Sequence, residues 1–188
     1  MKERIAKQVG HERARYLWMG TFHSVFSRIL RAEAEVLGFT SDFTIYDASD
    51  SKSLIKTIIN EMQLDEKAYK PSAVQSRISN AKNHLVSPDA YASSAEVRKA
   101  DPEAKLSEIH RIYRRYWDRC RQSNAMDFDD LLVYTYVLLK GKPELCAKYA
   151  ERFRFVLVDE YQDTNYAQHM IVQLLTEKSR HILSLIHI

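Results

Sequence analysis

The sequence predicts an α/β fold in which a parallel sheet is combined with a block of helices. Residues 153–158 are Phe-Arg-Phe-Val-Leu-Val, and such an apolar run is typical of a strand buried on both faces of a parallel sheet. Residues 49–122 instead repeat apolar side chains at helical spacing. A chain of 188 residues with 45% hydrophobic content is long enough for one or two compact units.

Two carboxylates directly follow the predicted strand. Asp159 and Glu160 stand at its carboxyl end, which is where open α/β sheets bind their ligands. An acidic pair at this position suits a Mg²⁺-nucleotide site, because one carboxylate can hold the metal while the other orients the attacking water. The same residues also suit a plain strand-to-helix turn, with Asp159 or Asp163 as the helix N-cap and Glu160 facing the helix dipole.

The residues after the acidic pair shift the balance toward the nucleotide site. Residues 159–165 are Asp-Glu-Tyr-Gln-Asp-Thr-Asn, which resembles the DExQDTN form of the Walker B box in the UvrD/PcrA/Rep group of superfamily 1 helicases. The resemblance implies a 3′–5′ DNA helicase that uses ATP and Mg²⁺ and acts on single-stranded DNA and single/double-strand junctions. It implies that Asp159 coordinates Mg²⁺, that Glu160 is the general base, and that Gln162 senses the γ-phosphate.

A second segment, residues 20–24, is Gly-Thr-Phe-His-Ser. Its hydroxyls suit phosphate contact or helix capping, and its rings suit base stacking, which grips a single strand whatever its sequence. The segment resembles the GTFHS segment of the same family, which implies DNA contacts at Thr21, Phe22 and His23. The alternative is a strand end with an N-cap at Ser24 and with Phe22 in the core, and for Phe22 both interpretations stay open.

A third segment, residues 125–132, is Ala-Met-Asp-Phe-Asp-Asp-Leu-Leu, similar to the family's (L/M)DFxDLL segment. Its local pattern predicts a helix start, with Asp127 as the N-cap and Asp130 at the capping-box distance. We interpret this segment mainly as structural, and a DNA-proximal role for Asp127 or Phe128 is the alternative.

A fourth segment, residues 78–83, is Ile-Ser-Asn-Ala-Lys-Asn and is similar to part of the family's inserted helical subdomain. The similarity implies DNA contacts at Lys82 and Asn83, which we place off the apolar stripe of their helix. Around this segment the sequence predicts one helix capped by Ser49 or Asp50, a second that begins at Pro71 and a third after Pro102. Composition predicts a loop from Leu85 to Pro102.

These segments together predict the organisation of the chain. We expect a RecA-like motor domain, 1A, over residues 1–43 and 124–188, and a helical subdomain, 1B, over residues 44–123. The predicted fold is therefore part of the parallel sheet of a P-loop NTPase, with an inserted α-helical subdomain.

The chain lacks the phosphate-binding loop that such an ATPase needs. None of its four glycines stands in the pattern G-x-x-x-x-G-K-[ST]. We therefore expect an internal fragment of a longer helicase that is inactive toward ATP by itself. The alternatives are a non-catalytic DNA-binding or regulatory module that keeps the scaffold of the motor, and part of a helicase–nuclease.

Charge and cysteine content fit a DNA-binding protein of a reducing compartment. The net charge is +3, and residues 1–31 carry seven Lys or Arg against two Asp or Glu, so the remainder is −2. This basic stretch suits phosphate contact, and a solvated helix face is the alternative. The two cysteines have neither the spacing of a metal site nor that of a disulfide framework. The sequence also has no apolar run long enough to span a membrane. We therefore expect a cytoplasmic protein. Repair or replication proteins fit the implied function as partners, although no sequence feature identifies one.

Overall fold

Helices make up most of the structure, a computed structural model that describes residues 2–94, 101 and 106–185. The α-helices are α1 (Lys2–Val9), α2 (His11–Arg15), α3 (Phe22–Ala32), α4 (Ala48–Glu61), α5 (Pro71–Asn83), α6 (Pro88–Ser93), α7 (Ile109–Gln122), α8 (Phe128–Gly141), α9 (Pro143–Arg152) and α10 (Tyr166–Thr176). Two 3-10 turns lie at Ala34–Leu37 and Tyr161–Asp163. Among the described helices, none is long and apolar enough to cross a membrane.

The strands of the described residues form two separate parallel pairs. In the first pair, β1 (Thr44–Tyr46) lies beside β2 (Ala125–Asp127). In the second pair, β3 (Val156–Asp159) lies beside β4 (Ile182–Leu185). Parallel strands are therefore present, as predicted, in a mixed helix and strand structure that is compatible with a helicase motor domain.

Strand β3 is not buried on both faces, and that prediction is wrong for this chain. Val158 is buried, but Leu157 is 62% exposed and Phe155, just before the strand, is 70% exposed. The physical reason is that β3 has only β4 as a neighbour among the described residues, so no second layer covers these alternate side chains.

Two hydrophobic clusters hold the helices together. The first joins α3, α8 and α10 and includes Phe26, Ile29, Leu30, Met126, Leu131, Leu138, Ile171 and Leu175. The second joins α4, α5 and α7 and includes Ile55, Ile58, Ile59, Val74, Ile78, Ile112, Tyr113 and Tyr116. Trp117 packs against both clusters. The domain limits at residues 43 and 123 stay a prediction.

The first residues of the helices show which local sequence patterns are sufficient to predict where a helix begins. Asp127 caps α8 and Asp130 completes the capping box, as predicted, and Pro71 is the first residue of α5. The cap of α4 is Asp47 rather than Ser49 or Asp50. That prediction was wrong because Asp47 already accepts the free N–H groups of the first turn, at 2.7 and 2.8 Å.

Part of the predicted loop between Leu85 and Pro102 is helical. Helix α6 lies there, with its N-cap hydroxyl at Ser87 accepting from Ala90 N at 3.2 Å and with Pro88 as its first residue. Ser followed by Pro is a favourable helix start, and this outweighs the loop-like composition. The predicted helix start after Pro102 lies outside the described residues, and α7 begins at Ile109.

The arginines of α7 are largely engaged by the protein. Arg111 contacts Glu108 at 2.6 Å, Arg119 contacts Glu61 at 2.8 Å, and Arg114 pairs with Asp89. Arg121 donates to the backbone oxygen of Leu37 at 3.2 Å. These four cations of α7 therefore already have partners within the protein.

Candidate nucleotide and DNA site

The acidic pair lies in a tight turn at the carboxyl end of β3. The strand ends at Asp159, and a 3-10 turn follows from Tyr161. Between them Glu160 has φ 50° and ψ 50°, a left-handed conformation that costs a non-glycine residue roughly 1–2 kcal/mol. The N-cap of the following helix α10 is Asn165, so the interpretation of Asp159 or Asp163 as that cap is wrong.

Both carboxylates of the turn are free to take a ligand. Asp159 and Glu160 are exposed, and within the described part of the chain neither side chain has a hydrogen bond or an ion pair. Exposed carboxylate oxygens suit Mg²⁺, which keeps several waters and phosphate oxygens among its ligands. No group of three or more His, Cys, Asp or Glu is arranged to hold a metal among residues 2–94, 101 and 106–185. A Mg²⁺ ion at this turn would therefore take its other ligands from water or from phosphate oxygens. Gln162 is exposed in the same turn.

The segment at residues 20–24 turns closely into helix α3. The N-cap is Thr21, whose Oγ1 accepts from Ser24 N at 3.3 Å, while Ser24 Oγ donates to Thr21 O at 2.8 Å. The cap expected at Ser24 is thus one helical turn too late. A Cβ atom at Gly20 would overlap the Ser24 hydroxyl, so this close approach requires glycine.

The two rings of this segment differ in their surroundings. Phe22 packs against the first hydrophobic cluster, with its ring 5.6 Å from that of Phe26. His23 is half-buried and meets Phe128 edge-on at 5.5 Å between ring centroids. Burial lowers the pKa of His23, partly opposed by the carboxylate of Asp129, and this favours the neutral imidazole. A neutral ring suits base stacking better than ionic contact with a phosphate.

Lys82 lies inside the protein, and its predicted contact with DNA is wrong in this structure. Its side chain is fully buried, and Nζ lies 2.7 Å from Asp127 Oδ2 and 2.7 Å from Asp130 Oδ1. Tyr116 donates to the same Asp127 oxygen at 2.8 Å. Lys82 follows Ile78 by four residues and so shares its buried helix face. This spacing is the signal that the sequence interpretation missed when it placed Lys82 off the stripe.

The buried triad of Lys82, Asp127 and Asp130 carries two carboxylates for one ammonium group. Burial opposes the charge of Lys82, but the two carboxylates hold its pKa well above the usual value. Burial also opposes ionisation of Asp127, but the contact with Lys82 lowers its pKa. Burial and the neighbouring Asp127 raise the pKa of Asp130 to about 7. Lys82 lies within ion-pair distance of both carboxylates, and the raised pKa of Asp130 means that this carboxylate takes up a proton more readily than Asp127.

Asn83 lies where three elements meet. Its Nδ2 donates to Ser79 O at 2.9 Å within α5 and to Asp129 Oδ1 at 3.1 Å in α8. Its Oδ1 accepts from Asn165 Nδ2 at 2.6 Å. These side chains line a cavity of about 640 Å³, together with Phe128. Asn83 is half-buried, and its predicted DNA contact stays a prediction.

Comparison with known proteins gives a result that is consistent with these features: the acidic turn after β3, the capped helix α3 and the cluster of α4, α5 and α7. The model of the family described as UvrD/REP helicase N-terminal domain matches residues 1–186. The chain belongs to this family. The resemblance seen in the acidic segment is thereby confirmed for nearly the whole chain.

Curated relatives of this UvrD/REP-family chain are named as DNA helicases. It is 38% identical over 182 residues to the ATP-dependent DNA helicase PcrA of Leuconostoc citreum, which covers 97% of this chain and 24% of that protein. It is 44% identical over 177 residues to the ATP-dependent DNA helicase UvrD1 of Mycobacterium bovis, covering 93% of this chain and 22% of that protein. The PcrA of Staphylococcus aureus is 38% identical over 97% of this chain. The chain thus spans about a quarter of the length of these relatives.

Proposed function

We propose that the chain is part of the motor of a longer ATP-dependent DNA helicase and carries its Walker B box. The observation that carries this proposal is the turn at the end of β3, where two exposed carboxylates stand without protein partners. The left-handed conformation of Glu160 is a second support, because strained residues cluster at functional sites.

Three residues of the turn have proposed roles in ATP hydrolysis. Asp159 holds Mg²⁺, which neutralises charge on the phosphates when it is bound. Glu160 orients the attacking water and accepts its proton. Gln162, two residues further along the turn, contacts the γ-phosphate and reports its presence to the DNA-binding residues.

The proposed DNA contacts lie in the segment before α3. Thr21 is exposed and offers a hydroxyl, and His23 offers a neutral, half-buried ring next to Phe128. Phe22 contributes less free surface because it packs against the first hydrophobic cluster. We propose that these residues bind single-stranded DNA near a single/double-strand junction, mainly by stacking and phosphate contact.

The general-base role is tested by Glu160→Gln in the longer helicase. We expect kcat for ATP hydrolysis to fall at least ~10²-fold while nucleotide binding is nearly unchanged, as for loss of a general base. Phosphate release under single-stranded DNA saturation measures kcat, and a fluorescent ATP analogue measures binding. Glu151→Gln, an exposed carboxylate on α9, is the matched control.

Wild-type turnover by Glu160→Gln would refute the general-base role. A separate expectation, that the 188-residue chain is inactive toward ATP by itself, would be refuted by steady-state phosphate release from that chain that Glu160→Gln abolishes. Such release would show that the motor does not need a phosphate-binding loop, which this chain lacks.

A further inference from the structure

The side chain of Asn83 connects the segments that the proposed function assigns to nucleotide and to DNA. Asn165, its partner at 2.6 Å, is the last residue of the acidic segment 159–165. Asp129, its partner at 3.1 Å, stands next to Phe128 and acts electrostatically on His23. We call Asn83, Asn165 and Asp129 the asparagine junction.

The hydrogen bonds of the junction fix the orientation of both amide groups. Asn165 Oδ1 accepts from Gln168 N at 2.9 Å as the cap of α10, so its Nδ2 must be the group that donates to Asn83. Asn83 Nδ2 faces three acceptors, Ser79 O, Ser79 Oγ and Asp129 Oδ1, so its Oδ1 must face Asn165. Neither amide can flip without breaking a bond, because an amide has one donor end and one acceptor end.

The junction sits on a rigid support. Lys82, the residue before Asn83, is fully buried against Asp127, which caps the helix that carries Asp129. The ring of His84, the residue after Asn83, stacks on Tyr166 at 6.4 Å between centroids. A displacement of Asn165 is therefore passed to Asn83 through their direct hydrogen bond, while these contacts hold α5 in place.

We propose that Asn83 is a positioning residue that couples nucleotide at the acidic turn to the affinity for single-stranded DNA. This rests on the proposed function. When nucleotide shifts the turn, Asn165 moves with it, and Asn83 then releases or tightens its hold on Asp129. The carboxylate of Asp129 in turn sets the environment of His23 and Phe128, so the DNA segment senses the state of the turn.

Two variants remove the coupling from opposite sides of the junction. Asn83→Ala removes the central amide. Asn165→Ser keeps a side-chain oxygen that caps α10 but removes the donor to Asn83. Asn80→Ala is the matched control, because Asn80 is exposed on α5 one turn before Asn83. Thermal melting of each variant checks that the fold is kept.

The measurement is the affinity for a fluorescent single-stranded oligonucleotide, with and without a non-hydrolysable ATP analogue and Mg²⁺, in the longer helicase. For the wild type we expect the two Kd values to differ on the order of fivefold, as for typical coupled sites. In Asn83→Ala and Asn165→Ser the ratio should fall below about twofold, and the double variant should add nothing further, since both act on one interaction.

Other outcomes overturn the inference in separate ways. If Asn83→Ala weakens binding by the same factor with and without nucleotide, Asn83 is a direct DNA contact. If both variants keep the wild-type ratio, or if the wild type hydrolyses ATP without any nucleotide effect on DNA affinity, the junction only holds the helices together. If the wild type does not hydrolyse ATP with single-stranded DNA present, the proposed function itself fails.

Discussion

Strands β2 and β3 both end in an aspartate, and the two aspartates have opposite surroundings. Asp127, at the end of β2, is buried, pairs with Lys82 at 2.7 Å and caps α8. Asp159, at the end of β3, is exposed and has no partner in the described part of the chain. The backbone continues differently as well, since a capped helix follows Asp127 whereas a left-handed Glu160 follows Asp159.

The difference shows that the position of an aspartate at a strand end does not define its role. Burying a carboxylate is costly unless it is paired, so Asp127 needs the ammonium group that α5 supplies. Asp159 stays in water at low cost and keeps its oxygen ligands available. The same local pattern thus gives a structural aspartate, Asp127, and a candidate metal ligand, Asp159. They are distinguished by Lys82, which lies 45 positions before Asp127.

We expect the largest difference between the two strand ends in the free energy of unfolding, when each aspartate is replaced separately by alanine. Asp127→Ala removes a helix cap, the acceptor of the Tyr116 hydroxyl and one of the two carboxylates beside the buried Lys82, so the free energy of unfolding should fall by about 3–5 kcal/mol. Asp159→Ala should change it by less than about 0.5 kcal/mol, as for an exposed residue without partners. Urea unfolding of the 188-residue chain, followed by circular dichroism, measures both. Equal losses for the two variants would contradict the distinction.

The next largest effect distinguishes His23 from Lys82, both of which the sequence analysis predicted to contact DNA. His23→Ala should weaken single-strand binding by ~1–3 kcal/mol, the range for loss of a stacked base, without lowering the melting temperature. Lys82→Ala should instead lower the melting temperature, because it leaves Asp127 buried and unpaired. Fluorescence anisotropy of an oligonucleotide in the longer helicase, at several salt concentrations, measures the affinity.

Two further variants complete the DNA experiment. His11→Ala removes an exposed histidine of α2 in the same basic stretch and is the matched control. Phe22→Ala should lower the melting temperature through lost packing, and a simultaneous loss of affinity would show that this ring also contacts DNA. Unchanged affinity for both His23→Ala and Thr21→Ala would refute the DNA assignment of the segment.

The smallest effect is a pH dependence of stability, which we expect only at the buried end of β2. The folded pKa of Asp130 is about 7 against an ordinary value of 3.8, so the stability it contributes is complete below pH 3.8 and is lost as pH rises through 7. The pKa of Asp127 is lowered, so its titration changes the stability only below pH 3.8. It therefore does not offset the loss of stability that Asp130 causes above pH 3.8. Between pH 6 and 7 the free energy of unfolding of the wild type should fall by about 1 kcal/mol relative to that of Asp130→Asn.

Asparagine at position 130 keeps an acceptor for Asp127 N, which Asp130 Oδ2 binds at 3.1 Å, and it does not titrate. Histidines titrate in the same pH range, so the informative quantity is the difference between the two proteins in free energy of unfolding. Parallel pH profiles for wild type and Asp130→Asn would show that Asp130 is ionised throughout.

Local patterns predicted the features whose causes are local. The capping box of Asp127 and Asp130, the start of α5 at Pro71 and the family of the acidic segment all depend on a few neighbouring residues. The sequence did not reveal the burial of Lys82, because its partners lie more than forty residues away. It also overestimated the burial of β3, because an apolar strand is covered only if other elements lie beside it.

The left-handed turn at Glu160 has a consequence for natural variation at this position. Glycine there would relieve the backbone cost of roughly 1 kcal/mol and make the chain more stable, but it would remove the carboxylate. Stability alone would thus favour a glycine, whereas the general-base role proposed for Glu160 requires the carboxylate. Under that proposal, stability and activity are in conflict at position 160.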